Sequence, residues 1–231
     1  MYYSERKEQL IEIIRHEGNI SVHKLSKLLF VSEPTIRRDL TVLEKEGKIK
    51  RTYGGAVYCE LINVEVPLSL REYEQTDAKK NIAKQAEKYI KDGQVIFLDA
   101  SSTASFLVPH IAKFKNTTVI TNSPKTSVEL AKHAIRTYCT GGLLLNNSIA
   151  YVGNLAEEFI KRYNADIFFF SSRGISVENI ITDSSVEETN IRKIMMMQSK
   201  NKIFLCTKDK LGKKYMYTLC STDEIDEVIT F

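Results

Sequence analysis

The chain is 231 residues long, with few cysteines and few prolines, four of each, and four histidines. Cys59, Cys139, Cys206 and Cys220 are scattered with no C-x-x-C pair. His16, His23, His110 and His133 never fall at metal-ligand spacing with them. Neither a disulfide framework nor a structural zinc site is therefore expected. No apolar run approaches the ~18 residues of a membrane span, and the start MYYSERKEQL has no secretory apolar core. There is no G-x-G-x-x-G and no G-K-[ST] loop, which argues against a dinucleotide or nucleoside triphosphate. Low-complexity tracts and fixed-period repeats are also missing. These absences predict a cytoplasmic protein with no cofactor, no metal and no membrane association.

What is present is unevenly spread. The net charge is +4, and residues 1–58 carry 11 Lys and Arg against 8 Asp and Glu, a net of +3. The other 173 residues hold 22 against 21. The cationic excess sits in the first quarter, where its placement on one face matters more than its sum.

Residues 21–43, SVHKLSKLLFVSEPTIRRDLTVL, spell two short helices meeting at a tight turn. Val22, Leu25, Leu28 and Leu29 repeat at helical spacing behind Ser21, a good N-cap. The pattern breaks at Phe30-Val31 and restarts at a second cap, Ser32, with Pro34 in the first turn, where no intrahelical hydrogen bond is lost. Ile36, Leu40 and Leu43 form a buried stripe; Pro34, Arg38, Thr41 and Lys45, flanked by Arg37, form the opposite face. Such a helix suits a DNA major groove. A first helix over residues 4–17 buries Leu10, Ile11, Ile13 and Ile14 and stops at Gly18-Asn19. The segment 49–58 alternates and turns at Gly54-Gly55, so it reads as a β-hairpin wing. Three helices and a wing predict a winged helix-turn-helix in residues 1–58. Phosphates are expected at Lys48, Lys50, Arg51 and the amides of Ser32 and Glu33. Base edges are expected at Thr35, Arg37, Arg38 and Thr41. Taken singly, either Arg is as compatible with a merely solvated helix face; the capped, turned and winged whole is not.

Residues 59–75 lack a clean period, contain Pro67, and read as a connector with some extended structure. A helix follows over 76–91. Apolar runs at 95–98, 118–120, 136–139, 167–170, 203–206 and 228–230 then alternate with helices at 102–111, 125–132, 155–162 and 186–198. Alternation of this kind predicts a mostly parallel, Rossmann-like α/β domain over 76–231. Ligands gather at the carboxyl ends of such strands. Polar turns land there: Asp99-Ala100-Ser101-Ser102-Thr103, Thr121-Asn122-Ser123, Thr140-Gly141-Gly142, Ser171-Ser172-Arg173-Gly174 and Thr207-Lys208-Asp209-Lys210. Any one is ordinary helix capping; five at one edge point to a small polyhydroxylated or phosphorylated ligand. Met195-Met196-Met197 reads as soft core packing.

These residues resemble the DeoR-type transcriptional regulators of bacterial sugar metabolism, along nearly the whole chain. SEPTIRRDL (Ser32 to Leu40) and RTYGGAV (Arg51 to Val57) match that family's helix-turn-helix and wing almost letter for letter. The second half is similar to its effector domain, whose fold is akin to ribose-5-phosphate isomerase. Asp99, Ser101, Ser102 and Thr103 align with a family D-x-G-T-T turn. Asn122, Ser123, Gly141 and Gly142 match directly, and Glu188 and Lys210 fall on further family positions. The resemblance implies a repressor released from a double-stranded operator by a phosphorylated sugar; the small footprint of one winged module and the pairing of half-sites predict a homo-oligomer, a dimer or tetramer, built by the sheet domain. This chain departs from the pattern at Ser101, Leu145, Arg173, Ser176 and Thr207, and Arg173 is a candidate replacement phosphate contact.

Two other readings remain at this level. Asp99, Glu188 and Lys210 have the acid, base and cation of a sugar-phosphate isomerase, although no catalytic residue is assigned. Alternatively the winged head binds protein. Coupling is expected to run from the sheet-edge loops to the connector.

Overall fold

The structure is a computed structural model that describes residues 3–17, 19–46, 48–52, 54–58 and 68–231. The expected helix stop at Gly18, Gly47, the first part of the connector (59–67) and the side chain of Lys50 lie outside the described residues. The chain divides into two compact units, Met1–Val66 and Pro67–Phe231.

The first unit runs α1 (Tyr3–Glu17), β1 (Asn19–Ser21), α2 (Val22–Leu29), α3 (Glu33–Lys45), β2 (Ile49–Thr52) and β3 (Gly55–Tyr58). Ser21 caps α2, its Oγ accepting the Lys24 amide at 3.2 Å. It also ends β1, which pairs antiparallel with β3, so the wing is a three-stranded sheet ordered β1-β3-β2. The sequence suggested only a hairpin, because a three-residue strand is hidden inside a helix stop and a cap. Gly55 permits that third strand: a Cβ there would sit 2.4 Å from the Ile20 carbonyl oxygen. The core takes Leu10, Ile14, Val22, Leu25, Leu29, Ile36, Leu40 and Leu43, as their spacing requires. Leu28 is a correction, being 48% exposed, and Ile11 and Ile13 are only partly buried.

The second unit opens with α4 (Leu68–Arg71), a helical turn where an extended connector was expected. It continues through α5 (Thr76–Ala86), β4 (Val95–Leu98), α6 (Val108–Ile111), β5 (Thr118–Thr121), α7 (Pro124–Lys132), β6 (Arg136–Cys139), β7 (Leu143–Leu145), β8 (Ala150–Val152) and α8 (Asn154–Ile160). Then come β9 (Ala165–Phe170), β10 (Gly174–Ile175), β11 (Ile180–Asp183), α9 (Val186–Met197), β12 (Ser199–Cys206), β13 (Tyr217–Ser221) and β14 (Glu227–Thr230). Six strands form one parallel sheet in the order β14-β12-β9-β4-β5-β6. Both faces are covered, which is why these strands read as solid apolar runs. Alternate residues still separate. Phe97, Phe168, Phe170 and Phe204 pack with Ala156, Ile160, Ile191 and Met195. Ile96, Leu98, Phe169 and Leu205 pack with Ile82, Ala86, Val108 and Leu130.

Short antiparallel pieces complete the unit: the β7-β8 hairpin and a sheet ordered β10-β11-β13. The expected helix over 102–111 is instead a 3-10 turn, Ala104–Leu107, followed by α6. Pro109 cannot donate a hydrogen bond within a longer helix. The helix expected to reach residue 91 ends as α5 at Ala86, followed by a 3-10 turn over Glu87–Tyr89.

Candidate nucleic-acid face and candidate effector site

On α3, the buried stripe of Ile36, Leu40 and Leu43 turns Arg37, Arg38 and Lys45 to solvent. Ser32 has the extended backbone of an N-cap, but its hydroxyl bonds to Thr35 Oγ1 at 3.0 Å, so it makes no side-chain cap. Thr41 Oγ1 donates to the Arg37 carbonyl at 2.8 Å and accepts from Arg51 Nη1 at 2.9 Å. Glu44 Oε1 accepts the Arg51 backbone amide at 2.9 Å. The wing cation is thereby laid along the recognition helix, and two residues expected to touch DNA are bonded to one another. Lys48 sits 3.8 Å from Glu46 Oε2. Glu33, half-buried at the start of α3, pairs with His23 Nδ1 at 3.1 Å and more loosely with Arg37 Nη2 at 3.5 Å. The His23 hydrogen bond holds its carboxyl below the ordinary range.

Sequence reasoning missed what orients this face. Asp39 is 2% exposed on the inner side of α3 and accepts Arg6 Nε of α1 at 2.6 Å. The ion pair joins the recognition helix to the first helix directly beside Arg38. The signal was an acidic residue at the apolar stripe's edge.

In the second unit all parallel strands end on one side, so the five polar turns share one sheet edge. β4 and β9 lie side by side at the point where strand order reverses, the place where such sheets form a crevice. There Asp99 faces inward. Its Oδ1 accepts the Ser101 hydroxyl at 2.6 Å and the Ser101 amide at 3.2 Å; its Oδ2 accepts Arg192 Nε at 2.8 Å and the Ser171 amide at 3.3 Å. Arg192 of α9 also donates to Asp183 Oδ2 at 3.0 Å and to Glu188 Oε1 at 3.3 Å. Three buried carboxylates thus converge on one guanidinium. Burial works against the charged Arg192, but Asp183, Glu188 and Asp99 outweigh it and raise its affinity for the proton. Burial likewise pushes the Asp183 carboxyl up, and the Arg192 charge with bonds from Ser172 and the Ser184 amide overcomes this, leaving it low.

Asp99 and Glu188, expected to meet an effector, are therefore engaged by Arg192 and brace the loops. Arg192 and Asp183 were not anticipated, although Glu188 and Arg192 share a helix face with the buried Met195 and Met196. Met197 is 74% exposed, so the soft-core reading fits only two of the three methionines. Lys210 Nζ donates to Ser171 Oγ at 2.7 Å, and burial pushes its amine down to about 8. Thr103 and Asn122 are buried, each with a side-chain oxygen that has no partner. Gly142, at φ 115°, serves packing: a Cβ would lie 2.7 Å from the Val152 carbonyl and 3.2 Å from Ala156 Cβ.

A cleft of about 320 Å³ opens beside this brace. Ser101, Ser102 and Ser123 line it, together with Lys125 and Thr126 of α7, Glu129, and Leu68 and Glu72 from the segment that starts the unit. Asn122, Gly141, Gly142, Arg173 and Lys210 are not in its lining. Ser123 Oγ accepts the Thr126 amide at 3.1 Å, capping α7. Among the described residues no group of three or more His, Cys, Asp and Glu could hold a metal ion, and no helix is long and apolar enough to cross a membrane.

A winged helix-turn-helix joined in one chain to a parallel α/β unit with a cleft at the strand ends defines a DNA-binding regulator with a sensing part. The chain belongs to the DeoR family of transcriptional regulators. Residues 6–61 match the DeoR-like helix-turn-helix domain and residues 74–230 the DeoR C terminal sensor domain. It is 37% identical to the uncharacterized HTH-type transcriptional regulator YulB of Bacillus subtilis, covering 100% of this chain and 89% of that one. It is 32% identical to the regulator GlpR of Haloferax volcanii, covering 100% and 90%. The putative aga operon transcriptional repressor of Escherichia coli O157:H7 is 29% identical over 98% of this chain and 85% of its own. Among solved structures, ribose 5-phosphate isomerase A of Methanocaldococcus jannaschii aligns with TM-score 0.46 and 20% identity over 61% of this chain and 56% of that one.

Proposed function

We propose that this regulator represses a sugar-metabolism operon and releases its operator when a phosphorylated sugar enters the cleft beside the Asp99–Arg192 brace. The observation that carries the reading is the presence in one chain of a solvent-facing Arg37–Arg38 surface and of a cleft at the strand ends of the second unit lined by Ser101, Ser102, Ser123 and Lys125. In this reading Arg37 and Arg38 reach base edges, and Arg51, Lys48, Lys50 and Lys45 meet phosphates. Ser32, Thr35 and Thr41 supply shorter polar contacts. Ser101, Ser102 and Ser123 are the effector contacts. Two heads acting on successive half-sites require a homo-oligomer.

The isomerase alternative is disfavoured by one feature. Asp99 and Glu188, the carboxylates such proton transfer would use, are both bonded to Arg192. A carboxylate clamped by a buried guanidinium is a poor general base.

The test is selection of duplexes from a random pool by the full-length protein, followed by anisotropy titrations of the selected sequence with a panel of phosphorylated sugars. Enrichment of a two-fold repeated site, weakened several-fold by one sugar phosphate, is expected. A pool with no enriched sequence, or an affinity that no phosphorylated sugar alters, would refute the proposal.

A further inference from the structure

The cleft contains an ion pair that the brace does not need. Lys125 Nζ, in the first turn of α7, is paired with the carboxylate of Glu72, just past α4. Lys125 is the single cation in the cleft lining among the described residues, and its side chain is 59% exposed. Glu129, the other acid of the lining, is engaged elsewhere, accepting Lys132 Nζ at 2.7 Å. The hydroxyl-bearing residues Ser101, Ser102, Ser123 and Thr126 face the same space.

Resting on the reading of this cleft as the effector site, we propose that Lys125 is its phosphate-contacting residue and that Glu72 is the intramolecular competitor an incoming phosphate displaces. A phosphate carries up to two negative charges and three acceptor oxygens against one charge and two oxygens for a carboxylate, so it is the stronger partner for an ammonium. The Glu72–Lys125 pair is exposed at its lysine end, the situation in which an ion pair contributes least and exchanges most readily.

The exchange has a consequence for the chain. Among the contacts that attach α4 to the rest of the unit, the Leu68 amide donates to the Asn147 carbonyl at 2.7 Å, Lys79 Nζ donates to the Arg71 carbonyl, and Glu72 holds Lys125. Losing the Glu72–Lys125 pair loosens α4, the first described element of the second unit.

The experiment uses the full chain, inorganic phosphate as probe with chloride as control, and the variants Glu72→Gln and Lys125→Gln. Glu72→Gln is expected to tighten phosphate binding roughly fivefold, the ratio that ~1 kcal/mol of an exposed ion pair corresponds to. Lys125→Gln is expected to weaken it by at least as much. Hydrogen exchange supplies the second readout. Phosphate should speed exchange at the Glu72 amide, which donates to the Leu68 carbonyl at 2.9 Å, and Glu72→Gln should do so without phosphate. Phosphate affinity unchanged by either substitution, no phosphate binding by the wild type, or exchange at residue 72 unmoved, would each overturn the proposal. If both readouts move as expected yet no sugar phosphate alters DNA affinity, the ion-pair exchange stands and the assignment of the effector class fails.

Discussion

Replacing Arg192 by methionine removes the one cation on which Asp99, Asp183 and Glu188 converge, at 2.8, 3.0 and 3.3 Å. All four residues are at most 4% exposed, so water cannot take over the lost contacts. Breaking a buried ion pair by removing one partner costs about 3–5 kcal/mol. Here three carboxylates lose their partner, which sets that range as a lower bound. A domain stability of about 5–15 kcal/mol would fall by about a fifth or more, and melting by roughly 6–20 °C. Thermal unfolding of the full chain followed by far-UV circular dichroism measures this. The pH dependence identifies the cause. In the wild type Asp183 titrates below its unfolded value of 3.8, so its stabilisation is in place above that value and fades as pH falls through the lowered one. Without Arg192, burial, the largest influence on Asp183, is no longer offset, so that carboxyl titrates above its unfolded value and the folded state binds more protons than the unfolded one. The variant's deficit must therefore shrink from about pH 8 to about pH 5. A deficit that stays constant across that interval, or no deficit at all, would refute the brace.

Three further outcomes follow from the geometry. Burial pushes the Lys79 amine from 10.5 down to about 8, so its folded-state charge costs on the order of 3 kcal/mol at neutral pH, and Lys79→Met regains that less ~1 kcal/mol for the lost bond to the Arg71 carbonyl. Because the unfolded chain keeps its proton to higher pH, wild-type stability rises between about 8 and 10.5 and the variant's advantage disappears there; denaturant titrations at both ends of the window check it. Arg38→Ala should remove ~1–3 kcal/mol of discrimination at one base pair; uniform weakening on all sequences would make Arg38 a phosphate contact instead. Phe30 ends α2 at φ 53° while 95% exposed, so Phe30→Gly relieves left-handed backbone without emptying a core and should stabilise the winged unit by up to ~1 kcal/mol, a gain that a lowered melting temperature would disprove.

How much of this was legible in the sequence depended on whether a signal was local. The stripe Ile36, Leu40 and Leu43 requires one helix face, and Val95-Ile96-Phe97-Leu98 requires a strand covered twice; both are found. β7, β10 and β11 are two to four residues long; β10 pairs with β11 across a short loop, and β11 pairs with the more remote β13. Strands so short leave no period to read. The polar turns were placed at the correct edge because a parallel sheet puts all its carboxyl ends together. Which of their side chains point into the cleft was not legible. Asp99 as a ligand contact and Asp99 as an Arg192 acceptor are identical in sequence, and the partner that decides between them lies 93 positions away. The Glu72–Lys125 pair, 53 positions apart, was invisible for the same reason.

The three consecutive phenylalanines of β9 have a consequence for how the second unit comes apart. Phe168 and Phe170 anchor one apolar layer and Phe169 the other, in a strand flanked on both sides by hydrogen-bonded neighbours. Neither layer can melt while β9 keeps its place, and once β9 leaves, neither has a floor. The sensing half should therefore denature all at once, in a single calorimetric event whose van 't Hoff and measured enthalpies coincide.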